Sequence, residues 1–350
     1  MYRRHSHDVA LYLRCQQKDL YRLQPYLRDM ADWWSSIEVD GQTWRQSLLT
    51  EHSYFDAKPP LLFPALRDLK LVAKDIVQDS NFDLLECGPA VTYRWTTTRV
   101  AALRLTLPVS AVLTSLSLAV NGMAGLHRSC LHVALQRCSA TLQTLDIRTN
   151  TTFDQMEPIS LPRLRELFVH GKACSLLRVL QMQGLETLRV EETSDQDASS
   201  LDLLWGALEC GRIAGNTLRR LQLTYHPSDG NQLISLQRII GILDGAYNVD
   251  TLALAYAEDP MYAVSCHEVL SVLALTRDGP RLPHLRRLTV LLGDSADDPT
   301  TLECLAAFLY MGDRSDLHLI TDIDYPAMDH ICTFTILDNE PDDGCLLDHN

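Results

Sequence analysis

One arrangement of apolar and polar positions recurs along most of the chain. Leu164, Leu167 and Val169 spell L-x-x-L-x-V, and Leu185, Leu188 and Val190 spell it again 21 residues later. The same spelling, with Leu, Ile, Val and Trp exchanging places, starts at Trp34, Leu66, Val100, Leu113, Leu142, Leu218, Val249 and Leu285. A degraded copy surrounds Leu317 and Leu319. Successive starts are 13 to 36 residues apart, so the spelling is regular and the period is not. The fourth and sixth positions lie two apart, and in an extended strand both side chains then point to one side. Between these strands come stretches such as 202–208 and 236–243, with apolar residues at helical spacing. Leu161-Pro162, Gly171, Pro227, Asp278-Gly279-Pro280 and Leu282-Pro283 punctuate the joints.

A strand followed by a helix cannot bury its apolar face alone, whereas stacked neighbours bury a continuous core. The pattern therefore predicts an α/β fold of the irregular leucine-rich-repeat solenoid kind. A curved parallel sheet would line its concave face, with helices on the convex face. The array is expected over residues 1–337, with 8–40 as an N-terminal capping strand-helix-strand and 338–350 as an acidic C-terminal tail. The 13-residue step from Val100 to Leu113 is too short for a helix, so two strands are expected to share one abbreviated unit there. Two copies extend to L-x-x-L-x-L-x-x-N, ending at Asn121 and Asn150, where the amide is expected to satisfy backbone groups as the chain leaves the strand. Asn150-Thr151-Thr152 also matches N-x-T, and the structural reading of Asn150 is preferred.

Composition narrows the function. With 46% hydrophobic and 22% charged residues, the 350-residue chain has a globular composition, and no run approaches the ~18 apolar residues of a membrane span. Net charge is −14, which argues against nucleic acid or an anionic membrane as partner. The first residues, MYRRHSHDVALYLRC, lack the apolar stretch of a secretory signal. The 10 cysteines include no C-x-x-C pair and read as reduced thiols, so an intracellular site, cytoplasmic or nuclear, is expected.

Chemistry is sparse. His127, Cys130, His132 and Cys138 form the densest set of metal-ligand types, but LHRSCLHVALQRC reads as a helix that scatters them around its axis. His5 and His7 lie in a polar terminal stretch. None of the common hydrolase, metalloprotease or phosphate-loop spellings is present. Glu191-Glu192 and Asp297-Asp298 read as solvated loop charge, and the five tryptophans as structural. The expectation is no catalytic residue, no cofactor and no metal.

The alternation that buries positions 4 and 6 sends positions 3, 5 and 7 to the other face. That face carries the candidate partner-binding residues Arg104, Asp146, Arg148, Glu166, Phe168, His170, Arg189, Glu191 and Arg220. Phe168, an aromatic among charges, has the composition of an interface anchor. The alternative is local packing against Arg189 as a cation–π pair. Elsewhere the same row is small, as at Ser117, Ala253 and Thr289, which centres binding near Phe168.

Several stretches carry a family likeness: DVALYLRCQQKDLYRLQPYLRDMADWWSSIEVDG, LFPALRDLKL, CLHVALQRCSATLQTLDI and LPRLRELFVHGKACSLLRVLQMQGLETLRV. Over roughly residues 9–320 the chain resembles the F-box/leucine-rich-repeat proteins of mushroom-forming (basidiomycete) fungi. That resemblance implies a non-catalytic protein–protein interaction module, the substrate receptor of an F-box-type ubiquitin ligase. Residues 1–50 contain no Leu-Pro-led F-box opening, so the segment that would dock a cullin-ligase adaptor is either lost or encoded upstream. The alternative is a scaffold or assembly protein of the same architecture, unrelated to ubiquitin transfer.

Overall fold

The computed structural model describes residues 11–16, 34–43, 68–75, 80–83, 92–97, 103–106, 113–120, 128–193, 199–225, 232–256, 273, 281–291, 308, 317–321 and 333–336. The chain divides into two compact units, Met1–Leu164 and Arg165–Asn350, where the repeat pattern predicted one array. Both belong to the α/β class and are built on parallel strands.

The first unit contains β1 (Leu11–Gln16), β2 (Trp34–Thr43), β3 (Asp68–Asp75), β4 (Ser80–Asp83), β5 (Thr92–Thr97), β6 (Leu103–Thr106), β7 (Ser115–Val120), β8 (Thr144–Thr149) and β9 (Ile159–Ser160). Its main sheet runs β1-β2-β3-β5-β7-β8. The spelling becomes register here. Leu13, Ile37, Leu69, Tyr93, Leu116 and Leu145 are successive partners, as are Cys15, Val39, Leu71, Trp95, Leu118 and Ile147. Leu116, Leu118, Leu145 and Ile147 are fully buried.

One predicted copy is displaced. The Val100 copy forms β6, which pairs with β4 in a separate ladder, and the place in the main sheet belongs to β5. Parallel neighbours need a crossover of about a dozen residues or more, and residues 107–114 cannot supply one. The strand TYRWTT, 23 residues before Ser115, has room for it, so β6 lies within the crossover. Within the span expected to cap the array, β1 and β2 pair in parallel. The segment between them lies outside the described residues, as do His5, His7, Asn121, His127, Asp297-Asp298 and the 338–350 tail.

The second unit contains β10 (Glu166–His170), β11 (Leu180–Gln181), β12 (Thr187–Glu191), β13 (Arg220–Tyr225), β14 (Thr251–Tyr256), β15 (Arg287–Leu291), β16 (His318–Thr321) and β17 (Thr333–Ile336). Its main sheet runs β10-β12-β13-β14-β15-β16-β17, and the apolar pairs again align. Leu167, Leu188, Leu221, Leu252, Leu288, Leu319 and Phe334 are successive partners.

The intervals between copies decide what crosses over. The 21-residue step after Leu164 accommodates only a 3-10 helix, Gly171–Arg178, which starts on Gly171 at φ 63° and buries Ala173, Cys174, Leu176 and Leu177. The longer steps after Leu185 and Leu218 carry α-helices Ser200–Glu209 and Gln232–Gly245. Glu192 caps the first of these from a distance. Its buried carboxylate accepts from the Ser200 N–H at 3.3 Å and the Ser200 hydroxyl at 2.8 Å, satisfying a helix N-terminus that also favours negative charge. Glu192 is therefore a buried cap, contrary to the solvated loop charge predicted for it. Asn150 is a second correction: it stands exposed, and the turn is held by the Thr149 hydroxyl oxygen accepting from the Thr151 N–H at 3.3 Å. Thr149 ends β8 nearly buried, which places its hydroxyl under the turn that Asn150 overshoots.

The two α-helices approach closely because glycine lines the contact. Trp205 packs over Gly241, and Arg238 stacks on the Trp205 ring at 3.9 Å while pairing with Asp202. A Cβ on Gly215 would sit 1.7 Å from the Gly245 carbonyl oxygen. Gly215→Ala is accordingly expected to cost about 1–3 kcal/mol or more by overpacking. Gly206→Ala, in a helix interior where a Cβ meets nothing within 4 Å, should add about 0.5–1 kcal/mol. Urea denaturation of the two variants checks both signs.

Candidate interaction faces of the parallel sheets

On the face opposite the leucines, each unit presents its own set of predicted residues. In the first, the Ser117 hydroxyl donates to Asp146 Oδ2 at 3.0 Å, and Arg148 Nε lies 3.3 Å from Asp146 Oδ1. Ser117 and Asp146 are register partners on β7 and β8, so their short reach closes across the strands. Asp146 and Arg148 thus form one internal pair, in which the Arg148 side chain stays 41% exposed. Arg104 does not join them: it lies on β6, opposite Asn81 of β4, outside the main sheet.

In the second unit the outer face has rows. The first row is Glu166, Thr187, Arg220, Thr251, Arg287 and His318, all partly or fully exposed. The middle row begins at half-buried Phe168 and then closes: Arg189 is 6% exposed, Gln222 1%, Ala253 and Thr289 0%, and Ile320 1%. His170, Glu191 and Thr224 follow as a third, half-buried row.

Arg189, predicted as an exposed anchor, is therefore corrected to a buried residue. A parallel sheet tends to be covered on both faces, and a long side chain in the central row is walled by both flanking strands. Its Nη2 lies 3.4 Å from Glu191 Oε2, while His170 Nε2 is 3.8 Å from Glu191 Oε1. One carboxylate thus faces both the Arg189 guanidinium and the His170 imidazole. Glu166 and Arg220 are exposed as predicted positions of the face require. Arg287 and His318 escaped the sequence reading, although Leu285-Arg286-Arg287-Leu288 repeats Leu218-Arg219-Arg220-Leu221 and marks the first of them.

Partial burial, then the neighbouring Arg287 charge, lowers the His318 pKa. Cys138, from the predicted ligand-type cluster, lies buried on helix Arg128–Cys138 and donates to the Ala134 carbonyl at 3.0 Å. Burial pushes its thiol up to about 12, the reverse of what a nucleophile or metal ligand needs. Among the described residues, no three His, Cys, Asp or Glu side chains gather as a metal would require, and no helix is long and apolar enough to cross a membrane. No family model matches the chain, and no curated protein is significantly similar to it.

Glu191→Ala would leave the buried Arg189 guanidinium short of its carboxylate, at an expected cost of about 1–3 kcal/mol. Arg148→Ala, which opens a pair exposed on one side, should cost less than about 1 kcal/mol. Equal losses in chemical denaturation would contradict this division. For His318 the sign follows from the depressed pKa: the unfolded chain takes the proton first, near pH 6.5. Its contribution to stability is full above that pH and is lost as pH falls toward the folded value. His318→Gln should therefore lose less stability than the parent between pH 7.5 and 5, and denaturation curves across that range test it.

Proposed function

We propose that the chain is a non-catalytic protein-binding module, folded as an irregular leucine-rich-repeat solenoid whose sheets offer their outer faces to a protein partner. The observation that carries this reading is the apolar register, with Leu or its equivalent recurring at matched places from strand to strand. Such a frame repeats its structural positions and leaves the exposed third positions freest to vary, which suits recognition. Half-buried Phe168, beside exposed Glu166, is the aromatic anchor of the second unit's face, and the Asp146–Arg148 pair is the polar contact of the first.

The fuller reading, supported by the resemblance to F-box/leucine-rich-repeat proteins, makes the chain a substrate receptor of a ubiquitin ligase. It would act in the cytoplasm or nucleus. A scaffold of the same architecture would bind partners without contacting the ligase. Affinity purification from native cells separates the two: cullin-ligase adaptor subunits should accompany a full-length bait, and their consistent absence removes the receptor reading. Phe168→Ala should reduce partner recovery at least several-fold with an unchanged melting temperature. Undiminished recovery would move the binding site away from β10.

A further inference from the structure

Of the 31 lysines and arginines in the chain only five are lysines: Lys18, Lys58, Lys70, Lys74 and Lys172. Lysine is among the commonest residues of globular proteins, so the imbalance is a departure in composition. It is also uneven along the chain. Four of the five precede residue 75, and Lys172 is the single lysine from there to residue 350. Lys172 is half-buried at the start of the 3-10 helix Gly171–Arg178. The second unit thus takes almost all of its permanent positive charge from guanidinium groups.

The fold gives a reason for some of these arginines and not for others. Arg238 stacks over the Trp205 ring at 3.9 Å and buried Arg189 reaches Glu191, two places where a planar, weakly hydrated cation packs better than an ammonium. Arg165 and Glu186 form a pair in which both side chains are at least half exposed, and such pairs are worth about 0–1 kcal/mol with either cation. Arg219 and Arg286 are exposed as well, and Arg219 gives one N–H to the Asn248 carbonyl at 3.3 Å, a bond open to an ammonium too. Arg165, Arg219 and Arg286 all hold the second place of the spelling, on the approach to β10, β13 and β15. At these places the two cations carry the same charge and differ in reactivity.

A lysine amine, once deprotonated, attacks an acyl thioester: the amide carbon–nitrogen bond forms, the carbon–sulfur bond breaks, the thiol leaves and the amine gives up a proton. A guanidinium stays protonated, with a pKa above about 12, and does not attack. We infer that the scarcity of lysine shields this chain from the reaction it promotes, the transfer of ubiquitin from a carrier thioester to a lysine of the bound substrate. A receptor stays within reach of that thioester for as long as it holds a partner, so each surface amine of its own would compete with the substrate's. Arginine keeps the ion pairs and removes the competitor. This rests on the receptor reading and adds to it the means by which the receptor outlasts its substrates.

The test is to express the full-length protein in native cells with Arg165→Lys, Arg219→Lys and Arg286→Lys together, beside the parent and the matching triple change to Gln. Peptide mass spectrometry should find ubiquitin remnants on at least one of the new lysines, and the half-life of the Lys variant should fall several-fold. Both changes should vanish when the cullin-ligase adaptor is depleted, and the Gln variant should last as long as the parent. The purified Lys variant should melt at the parent's temperature; if it melts lower, Arg286→Lys alone carries the test. Unmodified new lysines, remnants that persist without the adaptor, or a parent as heavily modified on Lys172 each overturn the inference. Unmodified lysines on a bait that still brings down the adaptor remove only the role given to lysine scarcity. A bait that brings down no adaptor removes the receptor reading as well.

Discussion

Leu188 and Val190 of β12 stand in register with Leu167 and Val169 on one side and with Leu221 and Leu223 on the other, and all six are 1% exposed or less. Everything else in the second unit hangs on that alignment. Fully burying one such side chain stabilises by about 1.5–3 kcal/mol, but a strand with its own crossover exposes one side of each pair until a neighbour arrives. A slip of one residue would turn both apolar side chains of the pair outward and the charged row inward, so each strand fixes its neighbour's register. The crossovers are then constrained only to return the chain to the same level. That tolerance explains how a 3-10 helix, a 10-residue helix and a 14-residue helix serve in one body.

The same alignment limits what the outer face can do. Its middle row is closed from Arg189 to Ile320, so the polar side chains there serve the fold before they serve a partner. Arg189 is held by Glu191, Glu191 also faces His170, and Asp146 is shared by Ser117 and Arg148. Charges satisfied within a face contribute little steering to a visitor, because their fields largely cancel beyond a few ångströms. The open positions are the first residues of the strands, where each chain segment emerges from its turn. Exposed side chains are thus displaced from the middle of the strands toward their starts.

Much of this was legible in the amino-acid order, and the failures have physical causes. The strands with aliphatic pairs were found because period-two burial writes itself into composition. β5 escaped because Tyr93 and Trp95 occupy the register places that leucines hold in its neighbours, and β17 because Phe334 and Ile336 follow no leading leucine. The Val100 copy misled because the spelling encodes a strand and not its partner; the crossover length decides that, and it assigned β6 to β4. Arg189 and Glu192 were misread for a common reason. Alternation tells which side of a strand a residue takes, but not whether that side is covered or which distant helix end lies within reach. Glu192 is eight residues from the Ser200 it caps, a distance no local pattern announces. The candidate face was therefore predicted in its membership at β8, β10, β12 and β13, and wrong at Arg104 and in the exposure of Arg189.

Positions two and three of the spelling vary in charge because the fold asks least of them. The fourth and sixth positions must be apolar, the middle row must be small or internally paired, and the crossover ends must accept caps or close contacts such as Gly215 on Gly245. Exposed Arg220 and Arg286 answer to none of these demands. Among the described strands of the second unit the same two places hold Arg-Glu, Glu-Thr and Asp-Thr on β10, β12 and β14, so the frame accepts either charge or none. The physical asymmetry between constrained and unconstrained positions is what separates the residues that build this protein from those that give it something to do.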